Sequence, residues 1–197
     1  MAEKEMKIGL LSTFTHIDPA YSLCSVVIDE LTALVAHGHK PVLFVLPMFK
    51  DEALVPEGVE IRKCIPQLIL EPYKGTGVPE HWKEDVAKAK SAFLKNFQDI
   101  SHLIAHDIHF IDSYLPYWIA LRESLPDLPD MKVFAWTHSA PSQRLDFEDN
   151  PHANRFHFLG LEGRVKLIYL NHDKVTDLAE MYRTMGTNVR VVHNSRD

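Results

Sequence analysis

The chain has 197 residues, 46% of them hydrophobic and 24% charged, which are the proportions of an ordinary globular α/β protein. A formal charge of -6 excludes broad, sequence-independent nucleic-acid binding, which needs a basic surface. The charged N-terminus has no signal-peptide core, and no apolar run approaches the roughly 20 residues of a membrane span, so the expected compartment is the cytoplasm. Cys24 and Cys64 lack metal-type spacing and read as reduced, buried thiols.

Met6 to Ser12 reads as a buried strand, followed by a loop with turn chemistry at Asp18-Pro19. Leu23, Val27, Leu31, Leu34 and Val35 then recur at helical spacing, and Gly38 stops the helix. Pro41 to Pro47 reads as a second buried strand, and Val59 to Ile65 alternates like a more exposed third. Residues Glu71 to Pro79 form a loop by their Pro and Gly content, with Tyr73 and Lys74 in it. A helix is expected from Glu80 to Phe97, with Trp82, Val86, Ala89, Phe93 and Phe97 on one face.

The stretch from His102 to His109 is the most informative in the chain. Leu103 to Ala105 is a short apolar run of strand character that breaks into His106, Asp107 and His109. Asp112 sits in N-cap position for a helix reaching about Ser124. Lys132 to His138 is the fifth strand, and it also ends in a histidine. Ser139 to Gly163 is long and polar, with room for one short helix. Val165 to Asn171 is the sixth strand, Asp173 opens a helix to Met185 closed by Gly186, and Val189 to Asn194 is the seventh strand. The expectation is one Rossmann-like domain over residues 1–197, a parallel sheet of about seven strands with helices on both faces.

Six of the twelve histidines fall at or just beyond a strand's carboxyl end: His16, His106, His109, His138, His172 and His193. In an open parallel sheet ligands bind at that edge, so these residues predict a polar cleft along one rim. Several chemistries compete for it. A metal could use His106, Asp107, His109 and His138, but the two strand-four histidines lack the i, i+4 spacing of paired helical ligands. A dinucleotide oxidoreductase would carry Gly-x-Gly-x-x-Gly after strand one, and Thr13 to Tyr21 contains no glycine. No Gly-x-Ser-x-Gly supports a hydrolase.

The order of motifs resembles the N-terminal half of a GT-B glycosyltransferase of the family 4 type. Four stretches carry the resemblance: Met6 to Phe14, Ile28 to Val42 with its Ala36-His-Gly-His-Lys exit, Ser101 to His109 together with Ala135-Trp-Thr-His-Ser139, and Val191 to Asp197. Two positions depart from the family pattern: the loop Thr13 to Tyr21 lacks the paired glycines, and Ser195 stands where glycine is usual. The resemblance implies a retaining transferase that uses a nucleotide-sugar donor and needs neither a metal nor another cofactor. It implies that a second domain beyond Asp197 holds the donor, leaving this half to recognise an acceptor and to be a poor catalyst alone. His138 matches the family histidine near the transferred sugar. His106, Asp107 and His109 would line the acceptor side, and Thr13, His16, Tyr21, Ser139 and Arg144 would touch substrate, with Lys74 a further acceptor contact. The alternative reading is a Rossmann-like binding or interaction module without catalysis, and behind it the His/Asp metal enzyme.

Overall fold

The computed structural model describes residues 5–69, 80–138, 158 and 160–193. Its frame is one seven-stranded, wholly parallel sheet: β1 (Lys7–Leu11), β2 (Lys40–Val45), β3 (Glu60–Lys63), β4 (His102–His106), β5 (Lys132–Trp136), β6 (Val165–Tyr169) and β7 (Val189–Val191). The spatial order is β3-β2-β1-β4-β5-β6-β7, so the chain builds outward from β1 in one direction and then returns to build outward in the other. This is the doubly wound Rossmann order, with its switch point between β1 and β4.

Helices lie on both faces. Helix α1 (Ser22–Ala36) buries Leu23, Cys24, Val27 and Leu31 against Ile8, Leu10, Leu43 and Val45. Helices α2 (Trp82–Asn96), α3 (Leu115–Ser124) and α4 (Val175–Met181) pack on the opposite face. That division follows from right-handed crossovers: a strand connection running one way along the sheet places its helix on one face, and the reverse direction uses the other. No helix among the described residues is long and apolar enough to cross a membrane.

The sequence boundaries hold within a residue or two for β1 to β6 and for α1 and α2, whereas β7 ends at Val191, short of the Asn194 expected for it. Gly38, at φ 75°, ends α1 by donating from its N–H to the Val35 carbonyl while His39 N–H reaches Leu34 O. Such paired bonds satisfy the carbonyls that a helix end leaves free. The last helix differs from expectation. Asn171, not Asp173, supplies the cap, its Oδ1 accepting from Asp173 N–H at 3.1 Å, and a 3-10 turn (His172–Lys174) precedes α4. The helix stops at Met181 because Arg183 takes the left-handed conformation (φ 46°), and Thr184 N–H then bonds Ala179 O. Gly186 instead begins a separate 3-10 turn. Similarly, the helix expected from Asp112 opens as a 3-10 turn (Asp112–Tyr114) before α3, and the Asp112 side chain lies outside the described atoms.

The centre of the sheet leaves no space at Gly9. A Cβ there would lie 2.6 Å from Phe44 Cε2 and 2.9 Å from Leu103 Cδ1. Phe44 is held in turn by Phe97, at a centroid distance of 4.5 Å, and Phe97 stacks on Phe93 at 4.8 Å. Close-packed interiors resist added volume, so Gly9→Ala is expected to cost about 1–3 kcal/mol. Urea unfolding monitored by circular dichroism measures this; an unchanged midpoint would mean that the Phe44 ring moves aside freely.

Candidate functional site at the sheet switch point

A cleft of about 280 Å³ opens beyond the carboxyl ends of β1 and β4. From the first loop it is lined by Ser12, Thr13, Thr15, His16, Asp18 and Tyr21; from α1 it takes Cys24; from β4 onward it takes His106, Asp107 and Tyr114. This is where an open α/β sheet places a ligand, because the two flanking connections leave in opposite directions and part there.

The first loop keeps its shape without glycine. Asp51 Oδ2 accepts from Ile17 N–H at 2.7 Å, and Lys50 N–H reaches Thr15 O at 3.3 Å, tying the loop to the segment after β2. Asp18 Oδ1 accepts from Ala20 N–H at 2.8 Å, an Asx turn ahead of α1. His16 and Tyr21 are exposed at the rim, where Thr15 Oγ1 lies 2.9 Å from His16 Nδ1. Partial burial followed by the nearby Asp107 pushes the Tyr21 phenol up. Burial likewise raises the Cys24 thiol, so it meets the cleft as a thiol and not as a nucleophilic thiolate. Cys64 is free and only half-buried, and burial raises it to about 11.

Strands β4 and β5 supply the other wall. Their pairing continues past the strands, Asp107 N–H donating to Trp136 O at 2.9 Å. Asp107 is left-handed (φ 58°), which turns its carboxylate back so that Oδ1 accepts from His138 N–H at 2.9 Å. His106 Nδ1 lies 2.8 Å from His138 Nε2. His106 Nε2 is 3.0 Å from Glu30 Oε2 of α1, at ion-pair distance but off the hydrogen-bond direction. Trp136 stacks on both rings, parallel to His138 within 2° at 5.6 Å and 27° from His106 at 6.0 Å.

Of the residues singled out in the sequence, Thr13, His16, Tyr21, His106 and Asp107 therefore share one cleft. His138 stands directly behind it, half-buried and joined through His106. His109 is placed elsewhere, which corrects its reading as an acceptor contact. It is fully buried on the opposite face of the sheet, ringed by Phe110, Trp118, Phe158 and Tyr182, with Nε2 2.7 Å from Thr137 Oγ1. The physical reason is the period of two at strand ends: His106 and His138 face α1, while Thr137 and the turn carrying His109 face the main core. His172 and His193 form a second, exposed pair at 6.2 Å beyond β6 and β7. Lys74, Ser139, Arg144 and Asn194 lie outside the described residues.

Glu30 was not visible as a site residue in the sequence, although a signal existed. Val27, Glu30, Leu31 and Leu34 keep the i, i+3, i+4, i+7 spacing of the buried stripe, so the carboxylate falls on the sheet-facing side of α1. Among the described residues, no group of three or more His, Cys, Asp or Glu side chains is arranged to hold a metal ion.

The sheet order and the cleft define a Rossmann-like α/β protein with a polar cleft at its sheet switch point. No family model matches the chain, and neither does any curated protein. Among solved structures the chain is similar to a UDP-galactose 4-epimerase, at 12% identity and a TM-score of 0.38, over 95% of this chain and 76% of that one. A likeness so distant bears on nothing below, and the fold assignment rests on the sheet order itself.

Burial favours the neutral form of His138, behind the cleft. It lowers the His138 imidazole from 6.5 to about 3, with neighbouring His106 adding to the effect. Burial does the same to His109, from 6.5 to about 3, reinforced by His138 and His106. Burial raises the Asp107 carboxyl from 3.8 to about 6, against the opposing pull of the His138 N–H and of His106. The stability signs follow from these directions. Each histidine's contribution is complete above its unfolded pKa and is lost as pH falls toward 3. The Asp107 contribution runs oppositely, complete below 3.8 and lost as pH rises through about 6. From about pH 6 down to about pH 4, His109→Phe should therefore flatten the fall in unfolding free energy by about 1.4 kcal/mol per pH unit. Urea titrations of both proteins across that range measure the slope; equal slopes would mean that His109 titrates normally in the fold.

Proposed function

We propose that this chain is the acceptor-recognising half of a retaining, nucleotide-sugar-dependent glycosyltransferase. The observation that carries the reading is the chemistry of the switch-point cleft. Its described lining offers carboxylates (Asp18, Asp107), two imidazoles (His16, His106), hydroxyls (Ser12, Thr13, Tyr21) and aromatic faces, and no lysine or arginine. Such a set suits a neutral polyol, whose hydroxyls donate to carboxylates and whose C–H faces pack on rings. It does not suit a diphosphate, which calls for guanidinium, ammonium or a glycine-rich cradle. An acceptor sugar is thus the ligand of this half, and the donor's diphosphate belongs to the other half of the resembled fold. The motif order of β1, α1, β4 and β5 supports the same division.

In this reading His138 touches the transferred sugar, and His106 and Asp107 hold the acceptor hydroxyls. The task of the protein is positioning, together with stabilising the charge that develops as the nucleoside diphosphate leaves. In a form carrying its donor-binding domain, His138→Ala should lower kcat by about 10²–10³-fold while the circular dichroism spectrum is kept. Transfer within twofold of the unsubstituted protein would remove His138 from this role. Calorimetry on the present chain gives the complementary test: neutral saccharides saturate the cleft and free nucleotide-sugars bind weakly. The reverse order would overturn the division of labour.

A further inference from the structure

Glu30 is not among the residues lining the cleft, yet its environment is specific. It projects from the sheet-facing stripe of α1, and its side chain is 15% exposed. Both carboxylate oxygens are shielded from solvent, and neither makes a hydrogen bond among the described residues. Its polar neighbour is His106 Nε2 at 3.0 Å, on a side chain only 1% exposed. A carboxylate taken out of water without full pairing is costly, so this geometry needs a compensating role or partner. The imidazole edge facing it is that partner.

The consequence passes to His138. In a neutral imidazole pair only one ring can donate across the 2.8 Å contact between His106 Nδ1 and His138 Nε2. A carboxylate beside Nε2 of His106 favours the tautomer with its proton on that atom. His106 Nδ1 then carries a lone pair and must accept. His138 must donate from Nε2, which leaves His138 Nδ1 as a bare acceptor. If the proton of His106 sat on Nδ1 instead, the chain of bonds would reverse and His138 Nδ1 would become a donor. The rings cannot swing away from this choice, because Trp136 stacks on both and Asp107 fixes the His138 backbone.

We infer that Glu30 is a positioning residue which, through His106, sets the tautomer of His138, so that His138 presents an acceptor nitrogen for a substrate hydroxyl. The inference rests on the transferase reading for what His138 contacts, but the tautomer itself requires no substrate. The relay runs Glu30, His106, His138, from a helix on one face of the sheet to the end of the second strand along.

Long-range proton–nitrogen spectra of the imidazoles distinguish Nδ1–H from Nε2–H rings directly. They are to be recorded on this chain at pH 8, with His106→Gln and His138→Gln assigning the two signals. The expected result is Nε2–H at both rings. In Glu30→Gln, whose side-chain amide can donate to His106 Nε2, the His138 ratio should shift toward Nδ1–H by about tenfold, because the negative charge that favours a proton on His106 Nε2 is gone. Nδ1–H at His138 in the unsubstituted chain overturns the inference, and so does an unchanged ratio in Glu30→Gln. Should Glu30→Gln fail to fold, the unsubstituted spectrum still decides. A chain that shows the relay but neither binds saccharides nor transfers sugar would refute the transferase reading and leave the relay standing.

Discussion

The site depends on one constraint, the parallel pairing of β4 with β5 carried one residue beyond β4. Asp107 N–H bonds Trp136 O, and Asp107 Oδ1 takes the N–H of His138. A residue other than glycine in the left-handed region costs about 1–2 kcal/mol, less for Asp than for most, and here that strain turns the carboxylate toward its neighbour's backbone. Without the turn, His106 and His138 would sit on adjacent strands with no fixed relation. With it, their ring nitrogens meet at 2.8 Å. The sheet thus does more than scaffold the cleft, since its last hydrogen bonds set the geometry of the imidazoles.

Burial then decides what those imidazoles can do. A solvated histidine would be half charged near neutral pH and would attract anions. Here desolvation, with neighbouring His106 acting in the same sense, lowers the His138 imidazole, so it acts as a neutral hydrogen-bonding group. Asp107 is displaced in the other sense by the same cause. Both shifts come from one low-dielectric wall between α1 and the sheet. A wall that disfavours charge, beside a cleft whose described lining holds no lysine or arginine, supports the proposal of an uncharged, hydroxyl-bearing ligand.

The sequence carried most of the fold, because buried parallel strands are short apolar runs and their punctuation is strong. Gly38 ended α1 as read, since only the left-handed conformation closes both carbonyls there. Gly186 misled, because Arg183 adopted the same conformation three residues earlier and no residue-type preference signals that. The site was legible at the level of which strands end in polar groups. It was not legible which side of the sheet each group took. His106 and His109 are three apart in sequence, yet one lines the cleft and the other fills the opposite core. Only the register of β4 on β5 and the turn at Asp107 determine that. Glu30 escaped notice because a single carboxylate in a helix reads as a solvated charge until its partner across the sheet is known.

The most direct measurement of the central claim is backbone amide chemical-shift mapping on this chain during titration with a panel of neutral saccharides. The account predicts perturbations confined to residues 12–24 and 106–114, the two walls of the switch-point cleft. Perturbations centred on His172 and His193 would contradict it, because the ligand edge of the sheet would then lie beyond β6 and β7 and the histidine pair at β4 and β5 would be structural.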